Sequence, residues 1–386
     1  MTHDFDAPID RRASDSLKWR RYPAEVLPLW VADTDFRAPG AVLTALHRRV
    51  AHGVFGYGEV LPEVRQAALD YLAERYAWRV QPEDLIFLPG VIPGFNMACR
   101  AVTTPGDGVL VQTPVYPPIL EAARHAGLVR DEMQLTRQPD GQYRIDFAAF
   151  EAAITPRTRV FILCNPHNPV GRVFQRAELE RIAEICLRRG VIICADEIHC
   201  DLVYDGRRHL PIASLDPEVA RRSITLMAPS KTYNIPGLHC ALAVVQDAEL
   251  RARFKAARAG LVPDVNVLGL VAAQAAYRHG QAWLAELLAY LEANRDWLYQ
   301  AVNSRLPGLR MSWPEGTFLA WIDCREAKLP GGPYQFFLER AGVALSDGAL
   351  FGRGGEGFVR LNFGCRRATL SEAVQRMEAA LMTREV

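Results

Sequence analysis

Lys231 leaves a short apolar run into Ala228-Pro-Ser-Lys-Thr-Tyr-Asn-Ile-Pro-Gly237, a turn rich in small and hydroxyl residues. Burial at such a place lowers a lysine's pKa, and a neutral amine suits Schiff-base chemistry. Standing alone, a lysine after a strand is more often the solvated end of a loop. Asp196 lies in Ala195-Asp-Glu-Ile-His-Cys-Asp201, just past another apolar run. A carboxylate at the mouth of a sheet can keep a pyridine nitrogen protonated and so make the ring an electron sink. The commoner fate of such a residue is to cap the following helix. His199 stands three residues on and could face the same pocket, although a lone histidine is usually a satisfied surface or core residue.

Two further stretches bear on the same chemistry. Asn165-Pro-His-Asn-Pro-Val-Gly171 carries two Asn-Pro steps and a glycine, which force an irregular, tightly turned backbone. Such a backbone can aim an Asn side chain at a ligand oxygen; by itself it is only a rich turn. Pro89-Gly-Val-Ile-Pro-Gly94 stands between a strand at 85–88 and a helix expected over 95–102. Free N–H groups at a helix N-terminus cradle phosphate. A strand, a Gly-rich turn and a helix in succession are common, so this signal is weak alone.

These residues need elements to position them. Apolar runs at 85–88, 109–111, 160–164, 191–195, 224–228 and 241–245 are hydrophobic on both parities. That is the pattern of strands buried on both faces, as in a parallel sheet. Residues 62–76 place Val64, Ala68, Tyr71 and Leu72 on one helical face. Strand 160–164, helix 176–189 ending at Gly190, and strand 191–195 form a βαβ crossover. Asp196 and Lys231 then both stand past the carboxyl ends of strands, where open α/β sheets bind ligands. From about 266 long helical segments take over, followed by an α+β tail with strands expected near 318–322 and 358–363. The first 35 or so residues lack the βαβ rhythm and are expected to pack on that tail.

Composition narrows the class. The chain has 386 residues, 49% hydrophobic and 23% charged, with a formal net charge of +1, so nothing favours nucleic acid or an anionic membrane. No apolar run reaches the length of a membrane span. Eight cysteines without a CxxC pair, and a polar N-terminus lacking an apolar leader, fit a reducing cytoplasm.

The order Gly-turn, Asn-Pro-Gly loop, Asp after a strand and Lys after a strand resembles the fold-type I enzymes of pyridoxal 5′-phosphate (PLP), the aspartate aminotransferase superfamily. The resemblance covers nearly the whole chain. It is nearest to the MalY/PatB branch of cystathionine β-lyases and cystalysin-like C–S lyases. The stretches that carry it include Ser16–Trp19, Leu29–Phe36, His52–Gly58, Thr113–Pro118, Ser230–Asn234 and Val359–Gly364 beside those above. It implies an α/β PLP-transferase fold, with a mostly parallel sheet flanked by helices. A large cofactor-binding domain would span 40–275. A smaller α+β domain would combine 1–39 with 276–386.

The resemblance also implies roles. Lys231 would carry the cofactor and act as general base. Asp196 would pair with the pyridinium nitrogen. Asn168 would hydrogen-bond the phenolic oxygen, with His199 nearby, and Tyr116 would stack on the ring. Val91 and Ile92 would offer amides to the phosphate. Tyr57 would reach the phosphate of a neighbouring subunit's cofactor, implying a homodimer with shared sites. Arg360 would clamp the substrate carboxylate in a pocket lined by Trp30, Val31 and Ala32. Two positions depart from the common pattern. Ala228 replaces a hydroxyl residue three before the lysine, leaving Ser230 as the nearest substitute donor. His239 replaces an arginine eight after it. The expected activity is β-elimination from cystathionine, cysteine or a cysteine S-conjugate. A broad-range aminotransferase is the alternative, and a PLP-binding regulatory protein a lesser one. No metal is expected.

Overall fold

The computed structural model describes residues 3–383. Seven strands form the main sheet: β1 (Leu85–Leu88), β2 (Gly108–Thr113), β3 (Val129–Gln134), β4 (Thr158–Cys164), β5 (Ile192–Asp196), β6 (Ser223–Met227) and β7 (Ala241–Val244). Their spatial order is β1-β7-β6-β5-β4-β2-β3. The pairs from β6 through β3 are parallel, whereas β7 runs antiparallel to both neighbours. This corrects the expectation of a parallel strand at 241–245. A strand buried on both faces reads as apolar whatever its direction, and the short link from β6 is built of tight turns rather than a crossover helix.

Alternate residues of each central strand enter different cores. Val160 and Ile162 pack on one side of the sheet with Ile192 and Leu226, while Phe161 and Leu163 pack on the other with Ile193 and Ala195. Helices cover both faces, which is why the strands show no polar parity. Four helices matter most for the site and its supports: α1 (Pro62–Tyr76), α2 (Val91–Val102), α3 (Arg176–Arg189) and α4 (Pro229–Thr232). The α1 face read from the sequence is buried at Val64, Ala68, Tyr71 and Leu72, with Ala67 added. Helix α3 ends as expected at Gly190, whose φ of 70° is the left-handed cap that glycine adopts freely.

Two long helices follow, α5 (Val267–His279) and α6 (Gln281–Arg305). A second, antiparallel sheet then forms from β8 (Arg310–Met311), β9 (Leu319–Asp323), β10 (Ser346–Asp347) and β11 (Phe358–Asn362), in the order β8-β9-β11-β10. The N-terminal segment is stitched to this region. Residues 27–28 pair in parallel with 343–344, and the Asp35 N–H donates to the Gly364 carbonyl at 2.9 Å. Among the described residues no helix is long and apolar enough to cross a membrane.

Candidate active site

The carboxyl ends of β1, β4, β5 and β6 open onto one cavity of about 420 Å³, with a mostly apolar wall. Its lining includes Ala32, Val91, Ile92, Tyr116, Asn168, Asp196, His199, Ser230 and Lys231. Residues from four separate strand ends and the N-terminal segment therefore converge, as sequence order alone cannot show.

Lys231 lies within the single turn of α4 rather than in an irregular loop. Pro229 at the first helical position needs no N–H partner there and presets the backbone, so the turn closes despite its proline. The Lys231 Nζ donates to the Ala32 carbonyl at 2.7 Å. Burial pushes this half-buried amine down to about 8; Asp33 and Asp196 oppose the shift and Arg360 adds to it. The lowered value raises the share of neutral, nucleophilic amine near neutral pH above that of an ordinary lysine.

Asp196 is the last residue of β5, one position earlier than a residue past the strand. Its side chain is 3% exposed and accepts from the Ile198 N–H at 3.1 Å. Burial pushes its carboxyl up to about 7, against the Ile198 hydrogen bond and the Lys231 charge. Among the described residues no basic side chain forms an ion pair with it. Ionising it there costs on the order of 4 kcal/mol. A cationic ring nitrogen in the cavity would offset that cost, which is the demand a pyridinium meets. His199 is buried, with its ring edge against Phe318 at 5.8 Å and its Nδ1 without a partner. Burial drives it down to about 3, helped by Lys231 and Arg360, so the ring is neutral.

Arg360, on β11 of the smaller sheet, stands behind the cavity wall and meets it through Asn168. Its Nη1 donates to Asn168 Oδ1 at 3.0 Å, and its Nη2 to the Trp30 carbonyl at 2.8 Å and Ser346 Oγ at 3.1 Å. Burial lowers its pKa to about 10, with Tyr116 opposing. No carboxylate pairs with it among the described residues, and its Nε has no partner. A buried guanidinium without an anion is an open site for one. Because Asn168 Oδ1 is taken by Arg360, its amide N–H₂ is left to donate elsewhere.

Helix α2 begins at Val91, four residues before the expected start. Pro93 falls in the first turn, where proline removes no helical hydrogen bond, so Pro89-Gly90 is a two-residue link and Val91–Gly94 already helix, rather than one long turn. Val91 and Ile92 therefore hold first-turn N–H groups with no intrahelical acceptor, aimed where the helix dipole favours an anion. Ala228, Ser230 and His239 all border the cavity, and His239 is exposed in a left-handed conformation with φ of 49°. Tyr116 lines the cavity, and its N–H donates to the Asn168 carbonyl at 3.1 Å. Tyr57 stands apart, fully exposed on the loop between 53 and 61 and outside the cavity lining.

Sequence reasoning missed Ser346, which sits opposite Arg360 across β10 and β11 and also donates to the Trp30 carbonyl at 2.7 Å. Only the strand register could have revealed it. The residues present fit PLP: an amine, a buried acid wanting a cation, a helix N-terminus for phosphate and a free guanidinium for a carboxylate.

Comparison with known proteins agrees with this geometry. The family model for aminotransferase class I and II matches residues 26–377. Cystathionine beta-lyase PatB of Bacillus subtilis (strain 168) is 40% identical over 98% of this chain and 100% of its own length. The crystal structure of OvoB superposes with a TM-score of 0.95 at 47% identity, covering 99% of this chain and all of that one. Cystalysin from Treponema denticola, whose crystal structure contains a pyridoxal 5′-phosphate cofactor, superposes with a TM-score of 0.95 at 31% identity over 99% of both chains. With its fold, its strand-end cavity and these likenesses in agreement, the chain belongs to the class I and II aminotransferase family.

Proposed function

We infer that this chain is a PLP-dependent carbon–sulfur β-lyase. It takes cystathionine, cysteine or a related cysteine S-conjugate to a thiol, pyruvate and ammonia. The observation that carries this reading is near-full-length likeness to relatives named cystathionine beta-lyase, joined to a cavity lined by Lys231, Asp196 and Asn168, with Arg360 hydrogen-bonded to Asn168 behind it. When bound, PLP supplies a ring that withdraws electrons from the substrate's Cα once the substrate amine is joined to it.

The chain's own residues do the rest. Lys231 would hold the cofactor and, once its Nζ is free, take the substrate's Cα proton on that atom. The Ala32 carbonyl gives the freed Nζ a hydrogen-bond partner at 2.7 Å. Asp196 keeps a proton on the ring nitrogen, and Asn168 donates to the phenolic oxygen. Tyr116 packs on the ring face, with His199 beside it as a neutral neighbour. The Val91 and Ile92 amides and the Ser230 hydroxyl hold the phosphate. This arrangement meets the absence of a hydroxyl at Ala228 and of an arginine at His239. Arg360 holds the substrate carboxylate next to Ala32, braced by Trp30 and Ser346.

Tyr57 we assign to the phosphate of a neighbouring subunit, in a homodimer with shared sites. Its full exposure, with exposed Val54 and Phe55 beside it, supports that reading. The eight unpaired buried thiols fit a cytoplasmic setting. The family name favours transamination as the second reading. The two separate in one assay. Holoenzyme mixed with L-cystathionine and a thiol reagent releases free thiol if it is a lyase, and none if it only transaminates.

A further inference from the structure

The helix that carries Lys231 is a single turn of four residues. One turn has too few internal hydrogen bonds to hold itself, so its position must be imposed from outside. Two side chains just after the lysine receive such support. Asn234 clamps the N-terminal segment, accepting from the Thr34 N–H and donating to the Thr34 and Phe36 carbonyls at 2.9 and 2.7 Å. Thr232, next to the lysine, is fully buried and its hydroxyl donates to Asp201 Oδ2 at 2.8 Å.

Asp201 is a further buried acid in the turn that follows β5, five residues past Asp196 and 2% exposed. Unlike Asp196 it does not line the main cavity. Its other carboxylate oxygen accepts the Tyr76 phenol and the Arg75 Nε, the latter at 3.2 Å, both from the end of α1. A carboxylate with three donors, one of them a guanidinium, is fixed in direction. It joins α1, the turn after β5 and the lysine-bearing helix at one point.

We propose that Asp201 is a positioning residue for Lys231, holding its helix through the Thr232 hydroxyl and so setting the lysine against Asp196. The proposal rests on the PLP reading of the cavity. Loss of that one hydrogen bond frees the turn to shift, and a small displacement of the lysine is enough to change rate.

Thr232→Val keeps shape and removes the hydroxyl; Thr232→Ser restores it. Each protein is prepared without cofactor and mixed with PLP, and growth of the visible absorption band is followed. Turnover of L-cystathionine and the melting temperature are then measured on the holoproteins. Thr232→Val is expected to slow band formation and to lower kcat about tenfold. KM should stay within about twofold, because the Arg360 clamp stands on the other sheet. Thr232→Ser should recover most of both rates. If Thr232→Val is recovered only as aggregate, Asp201→Asn is read by the same criteria. Unchanged band formation and kcat, or a loss confined to melting temperature, would overturn the proposal. So would a loss that serine does not rescue. A wild-type protein that forms no visible band would instead overturn the PLP reading, independently of Asp201.

Discussion

At the scale of residues, the site is a set of groups held away from their ordinary ionisation. Asp196 is raised from 3.8 to about 7 by burial. A native acid with a raised pKa binds more protons than the unfolded chain between those two values. Its contribution to stability is therefore lost as pH climbs through that window. Cofactor-free Asp196→Asn lacks this titration. It should gain stability relative to cofactor-free wild type as pH rises from about 4 to about 7, by a few kcal/mol in chemical denaturation, and no further above that. A difference that stays constant with pH would contradict the assigned burial effect. In the holoenzyme the same variant should lose at least about 100-fold in kcat, because a neutral amide cannot hold the ring nitrogen charged. Lys231, Asp196 and Asn168 could be read from sequence because each sits in a short motif at a strand end. Ser346 and Asp201 could not, since their meaning lies in partners 14 and 31 residues away.

At the scale of elements, the proposed phosphate cradle depends on how closely α2 approaches the sheet. Gly94 permits that approach: a Cβ there would meet a Leu226 methyl at 2.8 Å and a Leu88 methyl at 3.3 Å. Leu226 and Leu88 are fully buried and have little room to yield. Gly94→Val should cost about 1–3 kcal/mol in denaturant unfolding and weaken PLP binding by shifting the Val91 and Ile92 amides. Wild-type PLP affinity in a destabilised Gly94→Val protein would separate the helix position from phosphate binding. Strand and helix identities were readable because both periodicities are strong here, and α3 matched its expected bounds of 176–189. The direction of β7 and the start of α2 were not. Direction leaves no mark in a doubly buried strand, and proline reads as a breaker unless its place in the first turn is known.

At the scale of the whole molecule, one segment links the two sheets. The Leu29 N–H donates to the Ala344 carbonyl, the Asn362 N–H returns to the Leu29 carbonyl, and the carbonyls of Trp30 and Ala32 serve Arg360 and Lys231. Lys231 and Arg360 are thus referenced to the same stretch of backbone, although 129 residues separate them in sequence (360 − 231). If Tyr57 completes a neighbouring site, mixing Lys231→Ala with Tyr57→Ala subunits should restore roughly a quarter of wild-type activity through hybrid dimers. Mixtures no more active than either parent would place Tyr57 outside the shared site. The central claim is tested most directly by pyruvate formed from L-cystathionine with and without an added keto acid. The account predicts pyruvate release without keto acid, no gain when it is added, and none from Lys231→Ala. Turnover that strictly requires the keto acid would contradict it.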